Sequence, residues 1–264
     1  MTMDWALVTG ACSGIGLELA RGLAKRGHPL VLVSNRDKEL GEAAASLRAA
    51  HGVEVHAVVM DLARAEAGPE LYAQVKARGV DVGVLVNNAG ILHFGELAEM
   101  PAAKVNAMLQ LHTVTPTMLA RLFGADMRER RRGRILIVSS ISAFRPYPGI
   151  ALYSASKRYL FDLADALRHE LLPWGVTVTC LAPGAVATGL YESRVDVNFA
   201  KKTGVMVEAA FVAGKALTAL FRGRALVVPG LGAKLMGVLM RLAPGWVLGL
   251  LRRHTGLLSM PPRG

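Results

Sequence analysis

The chain predicts an α/β fold: a doubly wound parallel sheet of about seven strands with helices on both faces, followed by a C-terminal helical extension. Three observations carry this expectation. Short apolar runs alternate with helix-length segments along the first 228 residues. A glycine-rich turn, Thr9-Gly10-Ala11-Cys12-Ser13-Gly14-Ile15-Gly16, separates the first apolar run from the first helical segment. Polar turns follow several of the later runs, at the strand ends where parallel sheets bind ligands.

The elements follow in order. Trp5-Ala6-Leu7-Val8 reads as a buried strand, and Leu17 to Ala24 as the helix after the glycine turn. Gly10 permits the tight turn, Gly14 lets a ligand approach the backbone, and Gly16 allows close packing of helix on strand. Free N–H groups at such a helix start attract a pyrophosphate, so Ser13, Gly14, Ile15 and Gly16 form a candidate phosphate cradle. Leu30 to Val33 is a second strand, ending at Ser34-Asn35-Arg36 with no carboxylate. An acid near that end would hold the ribose 2′-OH of NAD, whereas Arg36 suits the 2′-phosphate of NADP. A solvated Arg ahead of the helix from Asp37 to Ala50 satisfies the same position equally well.

Val53 to Met60 leads to Asp61-Leu62, and Val82 to Val86 leads to Asn87-Asn88-Ala89-Gly90. One long helical region is expected from about Ala103 to Arg131, with Arg128, Arg130, Arg131, Arg132 and Arg134 near its end opposing the helix dipole. The strand Ile135 to Val138 precedes Ser139-Ser140. Tyr153 and Lys157 open the next helix, which runs to about Leu172 before Pro173. Four residues apart, they share a helix face. Val176 to Leu181 then runs into Pro183-Gly184-Ala185-Val186-Ala187-Thr188.

Beyond this point residues 189–206 carry no strong period and suit a lid over the site. Val207 to Phe221 reads as a helix and Ala225 to Val228 as a closing strand. Residues 1–228 thus form one α/β domain, and residues 229–264 a basic, apolar extension with short helices at Leu231 to Leu242 and Trp246 to Leu251.

At 264 residues, 52% of them hydrophobic, the chain has ample core material for one large domain. The first strand begins almost at Met1, leaving no room there for a targeting segment. Cys12 and Cys180 are isolated, without metal-ligand or disulfide spacing, so reduced thiols in a cytoplasmic protein are expected and no metal. The net charge of +11 is concentrated late: residues 200–264 hold ten Lys and Arg against one acid, Glu208. These cations are interleaved with Leu, Val, Met and Gly rather than with aromatics, which argues against nucleic acid. Two placements of the tail remain: peripheral contact with a membrane surface, or packing over the pocket or against a second subunit.

Taken together, Thr9-Gly10-(three)-Gly14-Ile15-Gly16, Asp61, Asn87-Asn88-Ala89-Gly90, Ser140, Tyr153-(three)-Lys157 and Pro183-Gly184 resemble the short-chain dehydrogenase/reductase family in order and spacing. The resemblance spans about residues 4–190. It implies a single-domain Rossmann fold and a nicotinamide cofactor, for which Arg36 favours NADP(H) over NAD(H). It also implies a small hydrophobic carbonyl or alcohol substrate and a homodimer or homotetramer. By the same resemblance Asn35 and Arg36 meet the adenosine ribose, Asp61 and Leu62 flank adenine, and Asn88, Ala89 and Gly90 line the adenosine and ribose side. Pro183, Gly184, Val186 and Thr188 bound the nicotinamide, and Lys157 binds its ribose.

The chemistry of such a reaction follows from the residue types. Tyr153 serves as proton donor or acceptor, its phenol, with a pKa of ~10 when unperturbed, made more acidic by the neighbouring Lys157 cation. Ser140 hydrogen-bonds the substrate oxygen. The sequence departs from the family pattern at His112, where an Asn is usual. His112 either holds a relay water and shuttles protons or is a satisfied helix residue. An oxidoreductase is the leading reading. An epimerase or dehydratase that keeps its cofactor, and a non-catalytic NADP-binding sensor, are the alternatives.

Overall fold

A computed structural model describes residues 3–189 and 206–242. Seven strands form a parallel sheet: β1 (Trp5–Thr9), β2 (Leu30–Ser34), β3 (Val55–Val59), β4 (Val82–Asn87), β5 (Gly133–Val138), β6 (Val176–Leu181) and β9 (Leu226–Val227). Their order is β3-β2-β1-β4-β5-β6-β9. The strand order reverses direction between β1 and β4, which opens a crevice at their carboxyl ends. Every residue of β2 and of β4 is buried, as a sheet covered on both faces requires.

Alternation along each strand feeds two cores. Ala6, Val8, Leu30, Leu32, Val84 and Val86 point to one face, packed by α1 (Gly14–Ala24), α2 (Asp37–His51) and α7 (Ala209–Phe221) through Leu19, Leu40, Leu47, Val212 and Leu217. Leu7, Val31, Val33, Leu85, Ile135 and Ile137 point to the other face. There α3 (Ala67–Ala77), α5 (Thr115–Glu129) and α6 (Ala151–Leu171) contribute Leu71, Val75, Leu119, Phe123 and Leu160.

The region expected as one helix from Ala103 to Arg131 is divided. It consists of α4 (Ala102–Leu109), a π-turn at Gln110–Val114 and α5, with the Thr115 N–H bonded to the Gln110 carbonyl. Such a bulge inserts one residue into the helical ladder and re-aims its neighbours, here turning His112 into the interior. A second correction concerns Val207 and Glu208, which were expected to begin a helix. They form β8, paired in parallel with β7 (Val186–Ala187). The Val207 N–H is claimed by the Ala185 carbonyl at 3.1 Å, so helix α7 starts only at Ala209. The final described helix, α8, is Leu231–Leu242. The expected lid falls almost wholly outside the described residues, as does the expected helix from Trp246 to Leu251.

Two glycines of the first turn are required by geometry. Gly10 has a φ of 65°, which L side chains rarely adopt. At Gly16 an added Cβ would stand 2.1 Å from the Gly10 carbonyl oxygen and 2.5 Å from the Asn88 amide nitrogen. Gly16→Ala should therefore lower stability by about 1–3 kcal/mol, the usual cost of overpacking. Gly41→Ala, in α2 with nothing within 4 Å, should be neutral or stabilising by up to about 1 kcal/mol. Urea denaturation of both variants tests this, and equal midpoints would contradict it.

Candidate active site

The loops after β1, β2, β3, β4, β5 and β6 meet at the carboxyl edge of the sheet and line a cleft of about 470 Å³. Its floor is built by a clamp between the first and fourth strands. Thr9 Oγ1 donates to the Val86 carbonyl at 3.2 Å and accepts the N–H groups of Asn88 and Ala89 at 2.9 and 3.0 Å. Asn88 Nδ2 in turn donates to the Thr9 carbonyl at 2.8 Å and to that of Gly10 at 3.3 Å. The glycine turn and the Asn-Asn-Ala-Gly turn are thereby one rigid piece.

Above this floor, the start of α1 faces the cleft. Ser13 occupies its N-cap position without a side-chain cap, and its first turn carries no acid. The Gly14, Ile15 and Gly16 stretch therefore offers N–H groups and the positive end of a helix dipole to an anion. Gly14 has a φ of 54°, and a Cβ there would meet Thr188 at 2.9 Å. At the adjacent corner the Arg36 guanidinium lies across the turn. It donates to Ser13 Oγ at 2.5 Å and to the Cys12 sulfur at 3.0 Å. Its ion pair with Glu39 is long, 3.6 Å, and half exposed, so it binds the guanidinium weakly. Asn35 and Arg36 are exposed here. Asp61 and Leu62 line the same end, the Asp61 carboxylate accepting the Ala63 N–H at 2.9 Å.

At the other end, Ser140, Tyr153 and Lys157 line the wall together with Gly90, Pro183, Gly184, Val186 and Thr188. Ser140 follows β5 and caps a short turn, its Oγ accepting the Ser142 N–H at 3.2 Å. Lys157 is almost fully buried, and its Nζ donates to the Val138 carbonyl at 3.0 Å. Burial holds its pKa down, to about 8. The Lys157 Nζ lies 5.7 Å from the centre of the Tyr153 ring. Burial acts oppositely on the nearby Cys180 thiol, pushing it up to about 12, so that residue is a neutral core group.

His112 lies behind this wall, fully buried. Its Nε2 accepts the Ile91 N–H at 2.9 Å. Its Nδ1 is 2.9 Å from Ser156 Oγ, whose own proton goes to the Tyr153 carbonyl at 2.9 Å. Nδ1 must then be the donor, and the ring is neutral. Both nitrogens are engaged within the protein, and the ring ties the loop after β4 to α6. Burial, and then the Lys157 charge, hold its pKa well below the ordinary value.

All the cofactor positions read from the sequence, and all three of Ser140, Tyr153 and Lys157, border this one cleft. His112 borders none of it. Sequence reasoning did not single out Ser34, Met60, Ile91, Leu111, Val138 and Ser139, which also line it. The signal for Ser139 was its place beside Ser140; its hydroxyl donates to the Lys157 carbonyl at 2.7 Å. Among the described residues no group of His, Cys, Asp and Glu is arranged to hold a metal ion.

The model of the short chain dehydrogenase family matches residues 4–197, nearly three quarters of the chain. The protein belongs to the short chain dehydrogenase family. A very-long-chain 3-oxoacyl-CoA reductase of Phaeosphaeria nodorum is 33% identical over 72% of this chain and 57% of its own length. The human inactive hydroxysteroid dehydrogenase-like protein 1 is 35% identical over 70% of this chain and 57% of its own length. The chain thus spans less than three fifths of these relatives. A short-chain dehydrogenase from Sphingobium yanoikuyae, solved in complex with NADPH, is 28% identical with a TM-score of 0.80, covering 99% of this chain and 98% of its own. Within this short chain dehydrogenase, the neutral His112 gives a measurable signature. The unfolded chain binds a proton at this ring below about pH 6.5, whereas the folded chain does not until far lower. Folding stability should therefore fall on acidification through that window, by up to about 1.4 kcal/mol per pH unit from this one group. His112→Asn, which keeps an acceptor for the Ile91 N–H, should lose stability less steeply. Urea titrations between pH 5 and 7.5 test this, and parallel curves for the two proteins would count against it.

Proposed function

We propose that this protein is an NADP(H)-dependent oxidoreductase that interconverts a hydrophobic ketone or aldehyde and its alcohol. The observation that carries the reading is the meeting of Ser140, Tyr153 and Lys157 on one wall of a cleft whose far end is the glycine turn capped by Arg36. The cleft suits a dinucleotide. It has an uncapped helix start for the pyrophosphate, a Gly16 position that a Cβ would block, and an exposed guanidinium beside Ser13 for a 2′-phosphate. The NADPH complex of the Sphingobium relative supports the same choice.

The nicotinamide group supplies or takes the hydride when bound. The chain's residues do the rest. Ser140 Oγ donates to the substrate oxygen and holds it against Tyr153. The Tyr153 hydroxyl gives its proton to that oxygen during reduction and takes it back during oxidation. The Lys157 ammonium, fixed by the Val138 carbonyl, stabilises the phenolate that remains. His112 acts at a distance, keeping Gly90 and Ile91 in place against α6. Candidate substrates are 3-oxoacyl thioesters, steroid-like or polyketide-like ketones and apolar aldehydes. The name of the Phaeosphaeria relative supports the first of these. Exposed Leu109 on α4, Val114 on the turn between α4 and α5, and Tyr159 on α6 support a homodimer or homotetramer built on these helices.

NADPH oxidation across a panel of apolar carbonyls tests the proposal. Tyr153→Phe should cut turnover by about 10²–10⁴-fold while leaving NADPH affinity nearly unchanged. Retained turnover would remove Tyr153 from the mechanism. Binding of NADPH with no turnover on any carbonyl would favour a sensor. Separately, Arg36→Ala should weaken NADPH about tenfold or more and hardly touch NADH, as loss of one charge-assisted phosphate contact requires. An equal effect on both cofactors would overturn the choice of NADP.

A further inference from the structure

Helix α8 is packed in the reverse of the usual sense. A surface helix normally turns its large apolar side chains inward and its small or polar ones outward. Here the described contacts to the protein are made by Ala233, Gly237 and Arg241. The Ala233 side chain rests over Gly184, a Cβ on Gly184 falling 3.1 Å from it, and Gly237 lies so close to Phe144 that an added Cβ would meet the ring at 2.9 Å. Arg241 stacks its guanidinium on the same ring at 4.3 Å. Among the described side chains the large apolar residues face out: Leu231 is 84% exposed, Leu235 62%, Val238 55% and Leu239 54%. Their spacing of four, three and one residues places them in a single stripe along the helix.

The part of the sequence that carries this stripe is basic. Lys234 is exposed on the same helix. After Glu208 the chain contains eight Lys and Arg and no acid. Among the described residues no helix is long and apolar enough to cross a membrane, so the stripe is suited to lying on a surface rather than passing through one.

We propose that α8 docks the protein onto an anionic lipid surface, its leucine stripe entering the interface and its cations meeting lipid phosphates. Apolar area and positive charge on one short element are the two terms that such binding adds together. A second copy of this chain fits less well, since it would bring the same uncompensated cations against one another. The location gives the docking a purpose. The inner side of α8 covers Gly184, which lines the end of the cleft that holds Ser140, and Phe144 in the turn that follows Ser140. A membrane held by the outer side lies next to the cleft mouth, where a hydrophobic substrate dissolved in lipid is delivered without crossing water. The docking itself does not depend on the proposed reaction, and its test reads binding rather than turnover.

Flotation of the full chain with vesicles of phosphatidylcholine alone, or mixed with phosphatidylglycerol, decides the matter. The protein should float with the mixed vesicles and be released by salt. The double variant Leu235→Glu and Leu239→Glu, at exposed positions, should lower the bound fraction by about tenfold or more. Its thermal midpoint and NADPH affinity should stay at the values of the unaltered chain. Absence of flotation on anionic vesicles overturns the proposal, as does flotation that the double variant leaves intact. Light scattering gives the remaining outcome: if the unaltered chain is an oligomer that the double variant dissociates, the stripe belongs to a second copy and the lipid proposal falls.

Discussion

The cross-strand clamp of Thr9 and Asn88 is the constraint on which the site depends. A parallel sheet that reverses its strand order leaves a crevice by topology alone, but a crevice between two separate loops would not hold a shape. Here one hydroxyl accepts two N–H groups and donates to a carbonyl, and one amide spans two carbonyls of the opposing turn. These backbone groups lie at the ends of buried strands, where leaving them unpaired would be costly. The clamp satisfies them and, in the same act, fixes the glycine cradle against the loop that carries Gly90. The close approach of Gly16 to Gly10 is possible only because this assembly excludes any side chain from the gap.

A buried ammonium is the second commitment of the structure. Lys157 has given up water for a hydrogen bond to the Val138 carbonyl, and its lowered pKa records the cost. Such a group is tolerated where its charge is used, and here it lies beside a phenol ring. The neutral His112 belongs to the same economy. A protonated imidazole at that position would face both an N–H and the Lys157 charge, so the π-turn brings in a ring that serves as acceptor on one side and donor on the other.

Much of this was legible in the chain. The strands declare themselves as short runs of Val, Leu and Ile because both their faces are buried, and the turn residues after them are polar because they border a cleft. The spacing of Tyr153 and Lys157 on one helix face needed no tertiary information. What escaped reading depends on contacts distant in sequence. The π-turn at Gln110–Val114 has no local composition signal, since Gln, Leu, His, Thr and Val all sit comfortably in an ordinary helix; its cause lies in the distant Ile91 N–H and Ser156 hydroxyl. Val207 looked helical beside Ala209 and Ala210, and only the carbonyl of Ala185 draws it into a strand. In α8 the apolar period was visible, yet the side turned to the protein is the one with Ala233 and Gly237, because Phe144 already fills the space that leucines would have taken.

The last strand of the sheet, β9, contributes only two residues and pairs at Cys180↔Leu226 and Leu181↔Val227. A long, flat border would present a row of vacant backbone groups to any unfolded neighbour, inviting fibril-like growth. So brief a margin gives an incoming segment almost nothing to zip onto. The brevity of this strand thus discourages aggregation along that side of the sheet.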